Sequence, residues 1–233
     1  MGYKVGMSTS AGIAFFDLDR TLLGVNSATL WVKRELRLGY ISRWHALRGA
    51  LWLGMYELGF GKMEDAVREA IGSLAGQQEA DIRDRTTTFW NEDVITSIRP
   101  GAWDVLAEHR RKGDRLVLLT SSSNYLSDLA AEVLGLDEVL CNRFRVADGC
   151  FTGDPEEPLC FGSGKLSHAR QMADQLGVSL MDCAFYTDSH SDLPVMLAVG
   201  TPVAVHPDPR LRREAHRRGW SVVDWGPGGT HTS

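Results

Sequence analysis

Ala14-Phe15-Phe16-Asp17-Leu18-Asp19-Arg20-Thr21-Leu22-Leu23 joins an apolar run to a pair of aspartates two residues apart, then to a threonine and more apolar residues. The run Ile13 to Phe16 that ends in Asp17 has the pattern of a buried strand entering a polar turn. Successive strand residues face opposite ways, but a turn at the strand's end brings Asp17 and the Asp19 backbone into one small volume. Carboxylates held so close repel each other. Either a cation joins them or one carboxyl is protonated.

Downstream of Leu23 the short apolar runs give way to helical spacing that lasts until Pro100. Ser27 is placed to cap a helix running to about Leu38 and closed by Gly39, and Ser42 to cap another ending near Gly59. In that second helix Trp44, Leu47, Leu51, Met55 and Leu58 recur three or four apart, on one face. A third helix spans roughly Lys62 to Leu74 and a fourth about Gln78 to Ile98. The expectation is an all-helical insert, residues 25–97, between two parts of a core, residues 1–24 and 98–233.

From Pro100-Gly101 onward strands and helices alternate. Helices are expected over Ala102–Lys112, Tyr125–Leu134, Lys165–Leu176, Leu193–Val199 and Pro209–Arg218. Strands are expected over Arg115–Leu119, Val139–Val146, Cys183–Tyr186, Pro202–Val205 and Ser221–Val223, with a hairpin turn at Asp148-Gly149. That alternation predicts an α/β fold: a Rossmann-like parallel sheet with helices on both faces, plus the helical cap after the first strand.

Ligands of open parallel sheets bind beyond the carboxyl ends of the strands. Three apolar runs end in polar residues there: Asp17 after the first; Thr120-Ser121-Ser122-Ser123 after Leu119; and Thr187-Asp188-Ser189-His190-Ser191-Asp192 after Tyr186. Asp17, Asp19, Asp188 and Asp192 would then gather beside a hydroxyl-rich loop. An all-oxygen donor set suits Mg²⁺ rather than zinc. Lys165, at a helix start in Gly162-Ser163-Gly164-Lys165, supplies a cation where a phosphate would also be favoured.

Composition narrows the partners. Thirty acidic against 25 basic residues give a formal charge of −5, which argues against nucleic acid and for a small molecule. The basic segment from Arg210 to Arg218 reads as a solvated helix face. Four cysteines without a CxxC pair point to reduced thiols. The N-terminal residues show no export pattern, and the apolar stretch Trp44–Phe60 is interrupted by His45, Arg48 and Glu57, so no membrane span and a cytoplasmic location are expected.

Asp17-Leu-Asp-Arg-Thr21, Thr120 after an apolar strand, Lys165, and Asp188-Ser-His-Ser-Asp192 resemble, in order, the four motifs of the haloacid dehalogenase superfamily, in its phosphoserine-phosphatase-like branch. The resemblance runs from about Ile13 to Trp225. It implies an Mg²⁺-dependent phosphatase acting on a small phosphorylated metabolite. Asp17 would be the nucleophile and Asp19 the general acid and base. Asp17, the Asp19 carbonyl and Asp188 would hold Mg²⁺, with Asp192 in support. Thr120, Ser121 and Lys165 would bind the phosphoryl oxygens.

Departures from the branch bear on the substrate. Asn26 stands nine residues after Asp17, where phosphoserine phosphatases carry a glutamate. Ala70 falls at the cap arginine, with Arg68 nearby, and Ser191 replaces an asparagine. Arg20 occupies a spot often held by a small residue and is a candidate substrate contact. Phosphoserine is therefore not the expected substrate. Phosphoryl transfer to another alcohol is the alternative within enzymology. A receiver-like signalling module is the alternative outside it, although such chains lack a helical insert.

Overall fold

The computed structural model describes residues 12–41 and 63–228. The expected helix from Ser42 to Gly59, with its Trp44 to Leu58 face, lies outside the described residues.

Strand β1 (Ile13–Phe16) is buried on both faces. It pairs in parallel with β2 (Arg115–Ser123) on one side and β6 (Ala184–Thr187) on the other. Beyond them lie β3 (Glu138–Asn142), β7 (Thr201–Val205) and β8 (Ser221–Val223), in the order β3-β2-β1-β6-β7-β8, all parallel. Alternate residues of the strands feed two cores. Ala14, Phe16, Leu116, Leu118 and Tyr186 face one, and Ile13, Phe15, Val117, Leu119 and Phe185 face the other. Burial on both faces is why these strands read as continuous apolar runs.

Helices α1 (Ser27–Leu38), α2 (Met63–Gly72) and α3 (Glu79–Phe89) lie between β1 and β2 in the sequence. The cap of α1 is Asn26, not Ser27: Asn26 Oδ1 accepts from the Thr29 N–H at 2.9 Å. The fourth expected helix is regular only to Phe89. It continues as a wide turn over Trp90–Val94 and a tight one over Ile95–Ser97. The chain then enters α4 (Pro100–Lys112), and α5 (Asn124–Leu134) follows β2.

The single strand expected over Val139–Val146 is two. β3 belongs to the sheet, while β4 (Phe144–Ala147) turns at Asp148-Gly149 and pairs antiparallel with β5 (Cys150–Pro155). Asp148 and Gly149 have φ of 51° and 76°, the left-handed pair a two-residue hairpin requires. This hairpin is stitched to the α2–α3 connection, with Gly76 N–H donating to Phe151 O and Phe151 N–H to Gln77 O. Helices α6 (Ser163–Leu176), α7 (Leu193–Met196) and α8 (Pro209–Arg218) complete the alternation. Among the described residues, no helix is long and apolar enough to cross a membrane.

Beneath the strand ends, Tyr186 stacks on Phe16 with ring centroids 4.9 Å apart. Its hydroxyl lies 2.8 Å from Nε2 of buried His109, whose Nδ1 lies 2.7 Å from Asp114 Oδ2. Tyr186→Phe would strand that histidine nitrogen in the interior, at a cost of about 1–3 kcal/mol. Denaturant unfolding should register a loss of that size; an unchanged midpoint would show that the hydrogen bond contributes nothing.

Candidate active site

The strand order reverses across β1 and β6, so the crevice at their carboxyl ends is the expected ligand position. Phe16 is in register with Tyr186, and the Asp17 N–H donates to Tyr186 O at 2.9 Å. Asp17 and Asp188 thus leave adjacent strands at nearly one level. Thr21 ties the two loops together: its buried hydroxyl accepts the Asp188 N–H at 2.9 Å. Between them the backbone makes a sharp turn in which Arg20 adopts φ of 57°, a left-handed conformation rarely taken by a long side chain.

Lys165 is the centre of the cluster. Its Nζ donates to Asp17 Oδ1 at 2.7 Å and to Asp192 Oδ2 at 2.9 Å, and the residue is only 2% exposed. An unpaired ammonium could not be buried this deeply. The loop that delivers it approaches closely: a Cβ on Gly164 would stand 1.9 Å from the Leu159 carbonyl oxygen. Asp192 Oδ2 also accepts from Thr187 Oγ1 at 2.7 Å. Asp192 is therefore a partner of the lysine as well as an acidic neighbour of the site.

The remaining expected residues divide. Asp19 is drawn into place by the Ser27 N–H, which donates to Oδ1 at 2.8 Å. Thr120 is buried, and its Oγ1 accepts the Ser122 N–H at 3.2 Å. The hydroxyl run after Leu119 does not form a loop, since β2 stays extended to Ser123 after a shift in register. The Ser121 hydroxyl donates to Cys160 O at 2.8 Å. Ser191 Oγ lies 2.8 Å from Ser189 Oγ. Arg20 is exposed, with its charge near Asp19 and Asp188. Arg68 is not brought to the carboxylates but pairs with Glu157, and Asn26 is occupied as a helix cap.

Sequence reasoning missed Asn142. This buried side chain accepts the Cys160 N–H at 2.8 Å and donates to Ser121 O at 2.7 Å. It joins the end of β2 to the segment that leads into the lysine helix.

Electrostatics follow from this crowding. Burial, and next the carboxylates Asp17 and Asp192, push Asp188 up to about 8. Burial pushes Asp17 up to about 7, with Lys165 opposing and Asp192 and Asp19 adding to the rise. Asp19 is likewise raised by burial. Lys165 is raised despite its burial, because Asp17 and Asp192 hold it charged.

One buried ammonium and the exposed Arg20 face four crowded carboxyl groups, and Asp192 Oδ1 is buried without a hydrogen-bond partner. Both observations fit a divalent cation bound through oxygen. No three His, Cys, Asp or Glu side chains among the described residues already form a metal cage. The expected set would draw on only two of these side chains, Asp17 and Asp188, with the Asp19 carbonyl beside them.

Without metal, the folded protein holds more protons on Asp17 and Asp188 than the unfolded chain does between their ordinary 3.8 and about 8. Stability therefore falls as pH rises through that window. In chelator, Tm should decline from about pH 5 to about pH 8, and Mg²⁺ should raise it most at the alkaline end. Asp188→Asn should flatten the decline. A Tm indifferent to pH and Mg²⁺ would contradict this electrostatic account.

The chain matches the haloacid dehalogenase-like hydrolase family over residues 14–197. It is 32% identical over 216 residues to the inhibition of morphological differentiation protein of Streptomyces azureus, covering 91% of this chain and 78% of that protein. It is 30% identical over 217 residues to a phosphoserine phosphatase of Mycobacterium tuberculosis, covering 91% and 70%. A crystal structure of a protein of unknown function from Bordetella pertussis superposes with a TM-score of 0.85 at 29% identity, covering 93% of this chain and all of the other (100%). The family match, the parallel sheet with its helical insert and the aspartate-lysine cluster agree: this chain is a phosphatase of the haloacid dehalogenase-like hydrolase family, in its phosphoserine-phosphatase-like branch.

Proposed function

We propose that this enzyme is an Mg²⁺-dependent phosphomonoester hydrolase that works through an aspartyl phosphate on Asp17, with residues 25–97 as a cap domain over a core of residues 1–24 and 98–233. The observation that carries this reading is the buried bridge from Lys165 to Asp17 and Asp192 at the sheet's switch point. In the first step an Asp17 oxygen attacks phosphorus, the bond from phosphorus to the ester oxygen breaks, and Asp19 gives that oxygen its proton. In the second, Asp19 takes a proton from water, the water oxygen attacks phosphorus, and the bond to Asp17 breaks to release phosphate.

Asp19 suits both tasks. Its pKa is raised by burial, and the Ser27 N–H holds one carboxylate oxygen in place. Lys165 offsets charge on Asp17 and on the phosphoryl group. Thr120 and the Ser121 N–H meet the phosphoryl oxygens, the Ser121 hydroxyl being committed to Cys160. Mg²⁺ held by Asp17, the Asp19 carbonyl and Asp188, with Asp192 behind them, would keep Asp17 ionised and draw charge from the phosphate.

The substrate we propose is a small phosphorylated metabolite other than phosphoserine. Asn26 offers no carboxylate to a substrate amine and is engaged with Thr29, and Arg68 is engaged with Glu157. Arg20 and Ser191 remain candidate contacts.

Asp17→Asn should abolish phosphate release from p-nitrophenyl phosphate, and full retained activity would refute the nucleophile. Across a panel containing phosphoserine, histidinol phosphate and phosphocholine, phosphoserine should not dominate. A preference for it by orders of magnitude would overturn the substrate reading.

A further inference from the structure

The Asp188–Asp192 loop has one short turn, His190–Asp192, before α7, and besides its own hydrogen bonds among Thr187, Ser189, Ser191 and Asp192 it is gripped from outside. Two grips act on the Asp188 backbone. On one side its N–H donates to Thr21 Oγ1; on the other its carbonyl accepts the Asp208 N–H at 2.8 Å. Asp208 then reaches back with its side chain, and Oδ2 accepts the His190 N–H at 2.6 Å. Its second oxygen faces the other way. Oδ1 accepts the N–H groups of Arg210 and Leu211 at 2.7 and 2.9 Å, capping α8.

Capping a helix requires one side-chain oxygen, and serine or asparagine does it as well as aspartate. Asp208 uses two oxygens, and the second is spent on the loop that carries Asp188. Helix α8 packs on β7 and β8 through buried Leu211 and Ala215, so the carboxylate connects the loop to a rigid element of the core. Asp208 makes no hydrogen bond to Asp17, Asp19, Lys165 or Asp192.

We infer that Asp208 is a positioning residue that holds the Asp188–Asp192 loop at the distance and angle Asp188 needs to bind a divalent cation. The inference rests on the reading of Asp188 as a cation ligand. Partners that orient metal ligands from behind typically change metal affinity by about 10- to 100-fold when removed.

Asp208→Ser separates the two duties, because a serine hydroxyl caps α8 but cannot also reach His190. Binding of Mg²⁺ alone to the full chain, measured calorimetrically, should weaken by about 10- to 100-fold, with the metal-free Tm close to that of the parent. Asp208→Asn, of unchanged shape, should weaken binding similarly, since its amide cannot satisfy both sets of donors. The loss should persist at high ionic strength, where a through-space effect of the deleted charge fades. Parental Mg²⁺ affinity in both variants, or a loss that vanishes in salt, overturns the inference. Asp188→Asn distinguishes the levels. If it abolishes Mg²⁺ binding while the Asp208 variants bind normally, the positioning role alone fails. If Asp188→Asn binds Mg²⁺ like the parent, the ligand assignment fails and the inference falls with it.

Discussion

A lysine ammonium buried beside carboxylates is the constraint on which this site depends. Lys165 can be buried only because Asp17 and Asp192 accept its protons at 2.7 and 2.9 Å. Asp17 and Asp192 in turn are too crowded by Asp188 and Asp19 to be balanced by one cation. On the proposed reading, the cluster's excess negative charge would be met by a divalent cation arriving with a dianionic ester. Charge that would be a liability in a structural core is suited to a site whose ligands bring opposite signs.

The fold supplies this arrangement through strand ends rather than through direct side-chain scaffolding. β1 and β6 end in register, and Tyr186 links the backbone of one to the aromatic stack under the other. Around them, ordinary polar residues hold the loops. Thr21 joins the first loop to Asp188, Asn142 joins β2 to the approach to Lys165, and Asp208 joins the Asp188 loop to α8. Each satisfies backbone groups that would otherwise be lost in a partly dry crevice.

Much of this was legible in the sequence. Apolar runs that stop at Asp17 and Thr187 mark strand ends, and a parallel sheet brings such ends to one edge. Lys165 was legible as a cation at a helix start. Its depth was not, because a lysine there usually lies in solvent and only the third dimension shows what surrounds it. Asn142 was hidden inside an apparent single strand that is really two. Asp208 was not singled out, since a sequence does not show what the second oxygen of a helix-capping aspartate touches. The Thr120–Ser123 run was misread as a loop because hydroxyl side chains carry no apolar alternation, although the backbone stays extended.

The central claim is that Asp17 is covalently phosphorylated during turnover. Each in-line displacement at phosphorus inverts its configuration, so an aspartyl-phosphate route, with two displacements, preserves it overall. The direct measurement is turnover of a phosphorothioate ester made chiral at phosphorus with two oxygen isotopes, in water carrying the third. The account predicts inorganic thiophosphate of retained configuration. Inverted thiophosphate would mean that water attacks the ester in one step, and the nucleophilic role of Asp17 would be wrong.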